Sequence, residues 1–257
     1  MDSTLQISHP GLRKLVHSKY LDLFAVAIIL AVSLSLRYHE TFYFQGKPQF
    51  NVPLAEWKSL MQQGAFPLGI FSTIVACFSM LSTRFVGKQS NLGNVIGIIT
   101  ALSVGLIEFL LGNKSAVITY PITFFITIFA TYKWSKGERI KPKDTLYYII
   151  SAVGLFLGYA LVFLGYYLFD QNYGWYSDTR SILLFHSIAI TFGLSLAANT
   201  ASALKYQETW ISWFVYNVIQ FVKKFLLMDW ATLGKYLFYI FNSIVTFFDW
   251  KLNKDKE

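Results

Sequence analysis

The sequence predicts an all-α integral membrane protein with eight transmembrane helices: one extra helix at the N-terminus, then a three-plus-one-plus-three parallel repeat. Three observations lead there. Of 257 residues, 54% are hydrophobic and only 14% are charged, whereas soluble domains carry roughly 25% charged residues. The shortfall runs along the whole chain, so the protein is polytopic and not a soluble domain with one anchor. Apolar windows of about 20 residues, the length that crosses the hydrocarbon core, recur eight times. Finally, the fourth and eighth windows share an aromatic frame.

The windows fall at 20–37, 65–86, 92–112, 115–135, 145–169, 180–204, 209–227 and 230–250. Arg13, Lys14, His17 and Lys19 precede the first. That window is too long for a signal-peptide core and lacks a small-residue cleavage site, so it is read as an uncleaved spanning helix. The link from Tyr38 to Gly64 is the one long polar connection, and most others are tight. With the N-terminus in the cytoplasm, 14 of the 22 Lys and Arg residues lie on the inner side, including the cluster KWSKGERIKPK. Arg37, Lys47, Lys58, Lys114, Arg180, Lys223, Lys224 and Lys235 remain outside, several at helix ends where a long side chain can snorkel to the interface. Both termini are therefore expected in the cytoplasm of a plasma-membrane protein.

The fourth window reads YPITFFITIFATYKW from Tyr120 to Trp134, and the eighth reads YLFYIFNSIVTFFDW from Tyr236 to Trp250. Tyr236 follows Tyr120, Ser243 follows Thr127 and Trp250 follows Trp134 by the same 116 positions. Windows two to four thus repeat as six to eight, with the fifth between. The odd linker makes both units enter the membrane in the same direction, a parallel repeat about an axis along the membrane normal. The domain division is 1–64 (cytoplasmic segment, extra helix and outer loop), 65–135 (first repeat), 136–179 (linker helix), 180–250 (second repeat) and 251–257 (cytoplasmic tail).

Composition excludes several function classes. The single Cys77 permits no disulfide framework and makes a Cys-based metal site unsupported. The +8 charge sits in short clusters between apolar runs, which fits positive-inside topology and not a nucleic-acid groove. No HExxH, phosphate-binding glycine loop or Ser/His/Asp arrangement is present, so neither an enzyme nor a cofactor is implied.

The most informative stretch is TWISWFVYNVI, where Trp210, Trp213 and Asn217 stand at i, i+3 and i+7 on one helical face. Asparagine in hydrocarbon is costly unless it meets a partner, a cavity or a ligand. Two indoles beside a buried amide offer a planar heteroaromatic ligand stacking surfaces and one orienting hydrogen bond. Trp210 also lies where an interfacial anchor would, and Asn217 could serve an interhelical bond.

LKYQETWISWFVYNVI resembles the signature of the PnuC family of nicotinamide riboside transporters, roughly K-Y-x-E-x-W-x-x-W-x-x-x-N, at Lys205, Tyr206, Glu208, Trp210, Trp213 and Asn217. A second resemblance covers FPLGIFSTIVACFSMLSTRFVGKQSNLGNVIGIIT, the GNKSA turn and the helix closing in YKW; together they span roughly Pro67 to Trp250. The resemblance implies a three-plus-one-plus-three core like that of a full-length SWEET transporter, with the extra N-terminal helix some members carry. It also implies facilitated diffusion, a uniport, with a cytoplasmic kinase trapping the imported nucleoside, and it allows a homotrimer. Three pocket positions depart from the pattern: Thr100 and Thr127 stand where relatives often have Asn, and Tyr120 where they often have Gln. Hydroxyls replace amides, which leaves other cargoes of the fold open: thiamine, riboflavin or a deoxynucleoside.

In this reading Trp210 and Trp213 stack on a pyridinium ring and Asn217 hydrogen-bonds to it, while Tyr120, Thr100 and Tyr236 hold the ribose or amide side. Thr127, Ser243 and Asn242 are further candidates, although Ser and Thr commonly bond back to their own helix. Trp134 and Trp250, beside Lys133 and Lys251, read as cytoplasmic belt residues. Pro121 loosens the start of its helix, which a rocking repeat could use. Glu108 reads as hydrated near the outer interface and His186 as structural. With no carboxylate at the midplane, proton coupling is not expected. The expected partners are a small-molecule substrate and the lipid bilayer, with no nucleic acid. A non-transporting membrane receptor or assembly protein is the reading from another class.

Overall fold

The structure is a computed structural model that describes residues 10–137, 139–170 and 174–252. The first nine residues and most of the expected 251–257 tail lie outside the described residues. Its long helices are α2 (Lys19–Ser35), α4 (Leu68–Gly87), α5 (Leu92–Leu110), α6 (Ala116–Ser135), α7 (Thr145–Phe169), α8 (Thr179–Ala203), α9 (Thr209–Leu226) and α10 (Trp230–Leu252). Each coincides with one of the eight apolar windows. A short α1 (Pro10–Val16) precedes α2, and α3 (Leu54–Gln62) lies in the polar connection.

By length and composition α4 to α8 can each cross a membrane, and α1 with α2, bent by 45°, makes a sixth candidate span. α9 and α10 are not apolar enough by that measure. Lys223 and Lys224 on α9, with Lys235, Asp249 and Lys251 on α10, lower their hydropathy; all but Lys251 are buried.

Alternate helices reverse direction, so the bundle has two ends. At one end, called here the tryptophan end, α4, α6, α8 and α10 finish; at the other, the lysine end, α5 and α9 finish. Helix α7 packs on α8 through glycines. A Cβ on Gly158 would lie 2.5 Å from the Cα of Gly193, and one on Gly154 3.0 Å from the carbonyl oxygen of Gly193. Gly154 and Gly158 form the small-xxx-small spacing that lets membrane helices approach closely. Between α5 and α6 the same role falls to Gly105, where a Cβ would sit 2.6 Å from the Cβ of Tyr120.

The extra helix is fastened to the bundle by polar contacts as well as packing. Buried Arg84 on α4 donates from Nε to Asp22 Oδ1 on α2 at 2.8 Å and from Nη1 to Asn242 Oδ1 on α10 at 2.6 Å. It also donates to the carbonyl oxygen of Val16, and Lys88 donates to the other oxygen of Asp22. Further along, Ser33 and Thr73 share a 2.7 Å hydrogen bond. Ala25 and Ile29 meet Ala76, Met80, Tyr236, Phe238 and Tyr239 in one apolar cluster.

The polar connection is more structured than its composition suggested. Phe42–Phe44 and Lys47–Gln49 pair as an antiparallel hairpin, turned by Gln45 and Gly46 with φ of 51° and 80°. Two consecutive positive φ values are what a two-residue hairpin of matching twist requires. Phe42, Val52 and Ala65 form a small core with Trp57, whose Nε1 donates to the carbonyl oxygen of Val52 at 3.0 Å.

Candidate functional site

A cavity of about 170 Å³ lies among α4, α5, α6, α8, α9 and α10. A single water needs roughly 10–15 Å³ on this measure, so the space holds a small organic molecule. Eight of the nine residues singled out from the sequence line it: Trp210, Trp213, Asn217, Tyr120, Tyr236, Thr100, Thr127 and Ser243. Asn242 does not. It is one position from Ser243 and faces away, its Oδ1 taken by Arg84.

The hydrogen-bond network fixes how Asn217 is oriented. Ser243 commits its hydroxyl proton to the carbonyl oxygen of Tyr239 at 2.8 Å, so its oxygen must accept from Asn217 Nδ2, at 3.0 Å. Among the described residues Asn217 Oδ1 is then left buried without a partner. An unpaired buried acceptor costs about 1–3 kcal/mol, a deficit that a donor in the cavity removes. The Trp210 Nε1 is likewise buried and unpaired. One turn beyond Asn217, Gln220 donates to the Tyr216 hydroxyl at 2.6 Å and its Oε1 also has no partner.

The threonines behave as hydroxyls in apolar helices generally do. Thr100 donates to the carbonyl oxygens of Ile96 and Gly97 at 3.1 and 3.2 Å, and Thr127 to that of Thr123 at 2.8 Å. Each keeps acceptor capacity toward the cavity and no free proton. The indole of Trp213 meets Tyr216 edge-to-face at 5.1 Å, which holds it at the cavity wall.

Two sequence expectations about tryptophan are corrected. Trp134 and Trp250 are buried and do not form a membrane belt. They close with Trp210 into a cluster at the tryptophan end, with centroids 6.1 Å apart for Trp134–Trp250 and 5.5 Å for Trp210–Trp250. Their Nε1 atoms donate to the carbonyl oxygens of Ser202 and Gly87, both at 2.9 Å. The positions related by 116 residues therefore meet each other, which buries the indoles that flanking lysines had suggested were at the interface.

The acidic and basic expectations at the lysine end are corrected too. Glu108 is fully buried inside the bundle, not exposed near the outer interface as its position in the sequence suggested. Its carboxylate lies 2.9 and 3.0 Å from Lys223 Nζ and 2.7 Å from Lys224 Nζ. Lys224 also pairs with Asp229 at 2.8 Å, and Asn113 donates to Glu108 at 2.9 Å. Lys223, Lys224 and Lys235 therefore do not snorkel. A smaller cavity of about 30 Å³ sits between this cluster and the main one, sharing Tyr120, Thr123, Ser195 and Tyr216 with it and bounded by Gln220 and Lys223.

Lys205 and Tyr206 lie in the turn that leads into α9 and hold it in place. The Lys141 amide donates to the carbonyl oxygen of Lys205, and the Lys141 carbonyl accepts from the amide of Gln207, both at 3.0 Å. The Tyr206 hydroxyl donates to Asp144 Oδ1 at 2.7 Å, and Lys141 sits 4.2 Å above its ring. Burial and the neighbouring carboxylate push the Tyr206 phenol up to about 12, while hydrogen bonds from Tyr206 and from the Tyr147 amide hold Asp144 below its ordinary range. These residues fix where α9 starts, and with it where Trp210, Trp213 and Asn217 point.

Sequence reasoning missed Tyr216, Tyr239, Lys235 and the polar faces of α4 and α8, all in the cavity wall. On α8, Ser195, Asn199 and Ser202 stand at i, i+4 and i+7, the signal that revealed the α9 face. Among the described residues no group of three or more His, Cys, Asp or Glu is placed to hold a metal ion.

The arrangement is a polar, aromatic cavity inside a membrane-type bundle. Residues 69–252 match the family model described as nicotinamide mononucleotide transporter. In architecture the chain is similar to the crystal structure of the vitamin B3 transporter PnuC, with a TM-score of 0.62 at 14% identity, covering 93% of this chain and 94% of that one. No curated protein sequence matches significantly. The match runs from the first residues of α4 to the end of α10 and takes in every helix around the cavity: the chain belongs to the nicotinamide mononucleotide transporter family, whose members are multi-pass membrane transporters and not enzymes.

Proposed function

We propose that this protein imports nicotinamide riboside by facilitated diffusion, with phosphorylation in the cytoplasm trapping the cargo. The observation that carries the proposal is the convergence of Trp213, Asn217, Tyr120 and Tyr236, from three helices, on one cavity of about 170 Å³. A planar cationic ring stacks on Trp213, with Trp210 at its edge. Its carboxamide N–H donates to the unpaired Asn217 Oδ1, and the tyrosine hydroxyls take the ribose. Transport proceeds by rocking of the 65–135 repeat against the 180–250 repeat, with 136–179 as the linker. Both termini face the cytoplasm of a plasma-membrane protein, and a homotrimer is the assembly to test.

The hydroxyl wall of Thr100, Tyr120 and Thr127 favours a second reading, the same route with thiamine, riboflavin or a deoxynucleoside as cargo. Tryptophan-fluorescence titration of the purified protein with nicotinamide riboside, thiamine, riboflavin and a deoxynucleoside separates the two. Saturable quenching by the riboside supports the first. Quenching by another cargo alone moves the proposal to that cargo, and a response to none overturns both.

A further inference from the structure

Asn217 on α9 and Ser243 on α10 both line the cavity and are both buried. An asparagine presents an acceptor or a donor according to which end of its amide is held, and the two orientations have nearly the same shape. Here the held end is Nδ2, which donates to Ser243 Oγ at 3.0 Å, while the serine proton goes to the carbonyl oxygen of Tyr239 at 2.8 Å. The turned-over arrangement, with the serine proton on Asn217 Oδ1 and Nδ2 facing the cavity, makes one hydrogen bond where the present one makes two. That difference favours the present orientation by roughly twofold to tenfold. Ser243 is in turn fixed on its helix, because its neighbour Asn242 is held by Arg84, itself bound to Asp22 on α2. Thr127, 116 positions before Ser243, makes the same bond back to its own helix, donating to the carbonyl oxygen of Thr123 at 2.8 Å. Ala101 stands 116 positions before Asn217, so at that place the other half of the cavity offers its hydroxyl no amide to orient.

We propose that Ser243 is a positioning residue that acts through Asn217 and sets the choice between a carboxamide and a carboxylate on the cargo ring. The proposal rests on the cavity being the cargo site, with Asn217 reading the ring substituent. With Nδ2 taken by Ser243, Asn217 shows the cavity its oxygen, which among the described residues has no partner. A carboxamide brings an N–H to that oxygen. A carboxylate brings only acceptors, so two oxygens face each other and both stay unsatisfied. Ser243 touches the amide from behind and need not touch the cargo. Without its hydroxyl, neither end of the Asn217 amide is held, and the amide can turn over. Nδ2 then donates to a carboxylate in a charge-assisted bond, and the distinction between the two cargoes narrows.

The test is calorimetric titration of the detergent-purified wild type, Ser243→Ala and Ser243→Thr with nicotinamide riboside and its carboxylate analogue nicotinate riboside, read as the ratio of the two affinities. The wild type favours the amide. Ser243→Ala moves the ratio toward the acid by roughly twofold to tenfold, the worth of one hydrogen bond. Ser243→Thr, which offers the same proton and the same oxygen, keeps the wild-type ratio. In an Asn217→Leu background Ser243→Ala leaves the ratio where it was, because the serine acts through the asparagine. A serine with a structural role alone would weaken both probes alike. A wild type that favours the acid, a ratio unchanged in Ser243→Ala, loss of both probes alike in that variant, or the same shift without Asn217 overturns the role of Ser243 and leaves the cargo site standing. If Asn217→Leu binds neither probe, the comparison of wild type with Ser243→Ala decides. Binding of neither probe by the wild type overturns the cargo reading with it.

Discussion

Replacing Glu108 by glutamine removes the acid that is ion-paired to Lys223 among the described residues. Glu108 and Lys223 are both buried, at 0% and 2% exposure, and Lys223 Nζ donates to the two carboxylate oxygens at 2.9 and 3.0 Å. Lys224 keeps Asp229 at 2.8 Å, so the damage concentrates on Lys223. Breaking a buried pair from one side costs about 3–5 kcal/mol, because the orphaned charge stays desolvated. At about 2–4 °C per kcal/mol for a chain of this size, the unfolding midpoint of Glu108→Gln falls by roughly 6–20 °C. Replacing Glu108 and Lys223 together by methionine recovers most of that, since a buried pair exchanged for apolar groups is often neutral. The assay is thermal unfolding in detergent, followed by intrinsic fluorescence. A Glu108→Gln midpoint within about 2 °C of wild type, less than one kcal/mol on this scale, would show that water reaches the cluster and that the buried network as described is wrong.

Trp250→Ala destabilises by about 3–5 kcal/mol, the cost of deleting a fully buried large aromatic, and thermal unfolding checks it; a belt residue facing lipid would change far less. For Asp144 the sign of the pH dependence follows from its depressed folded-state value relative to the ordinary 3.8. The stability it adds is present above that ordinary value and is lost as pH falls through the lower folded value. Asp144→Ala therefore lowers the unfolding midpoint at pH 6, and its difference from wild type shrinks as the pH is taken below the ordinary aspartate range. A difference that stays constant down that range would refute the assignment.

The α9 face was legible because helical period alone places Trp210, Trp213 and Asn217 together, whatever surrounds them. The eight long helices were legible from window length, although α9 and α10 owe their charged residues to partners and not to the membrane interface. Glu108 and Lys223 are separated by 115 positions, and no local pattern announces such a pair; distance from a helix end alone suggested hydration and snorkelling. Trp134 and Trp250 misled for the same reason, since a tryptophan beside a lysine at a helix end has the same sequence whether it faces lipid or a neighbouring indole. Asn242 and Ser243 show the limit at single-residue scale. A rotation of about 100° per residue sends one to Arg84 and the other to Asn217. The hairpin at Gln45–Gly46 was hidden by its brevity, with strands of three residues each.

The most direct measurement is uptake of labelled nicotinamide riboside into liposomes containing the purified protein, with unlabelled riboside inside to drive counterflow. Saturable counterflow that is unaffected by a pH gradient, and that Trp213→Ala lowers by roughly fivefold to thirtyfold, as loss of a stacking contact worth some 1–2 kcal/mol allows, is the predicted result. Uptake no greater than in protein-free liposomes, or saturable uptake indifferent to Trp213→Ala, contradicts the assignment of this cavity as the transport site for that cargo.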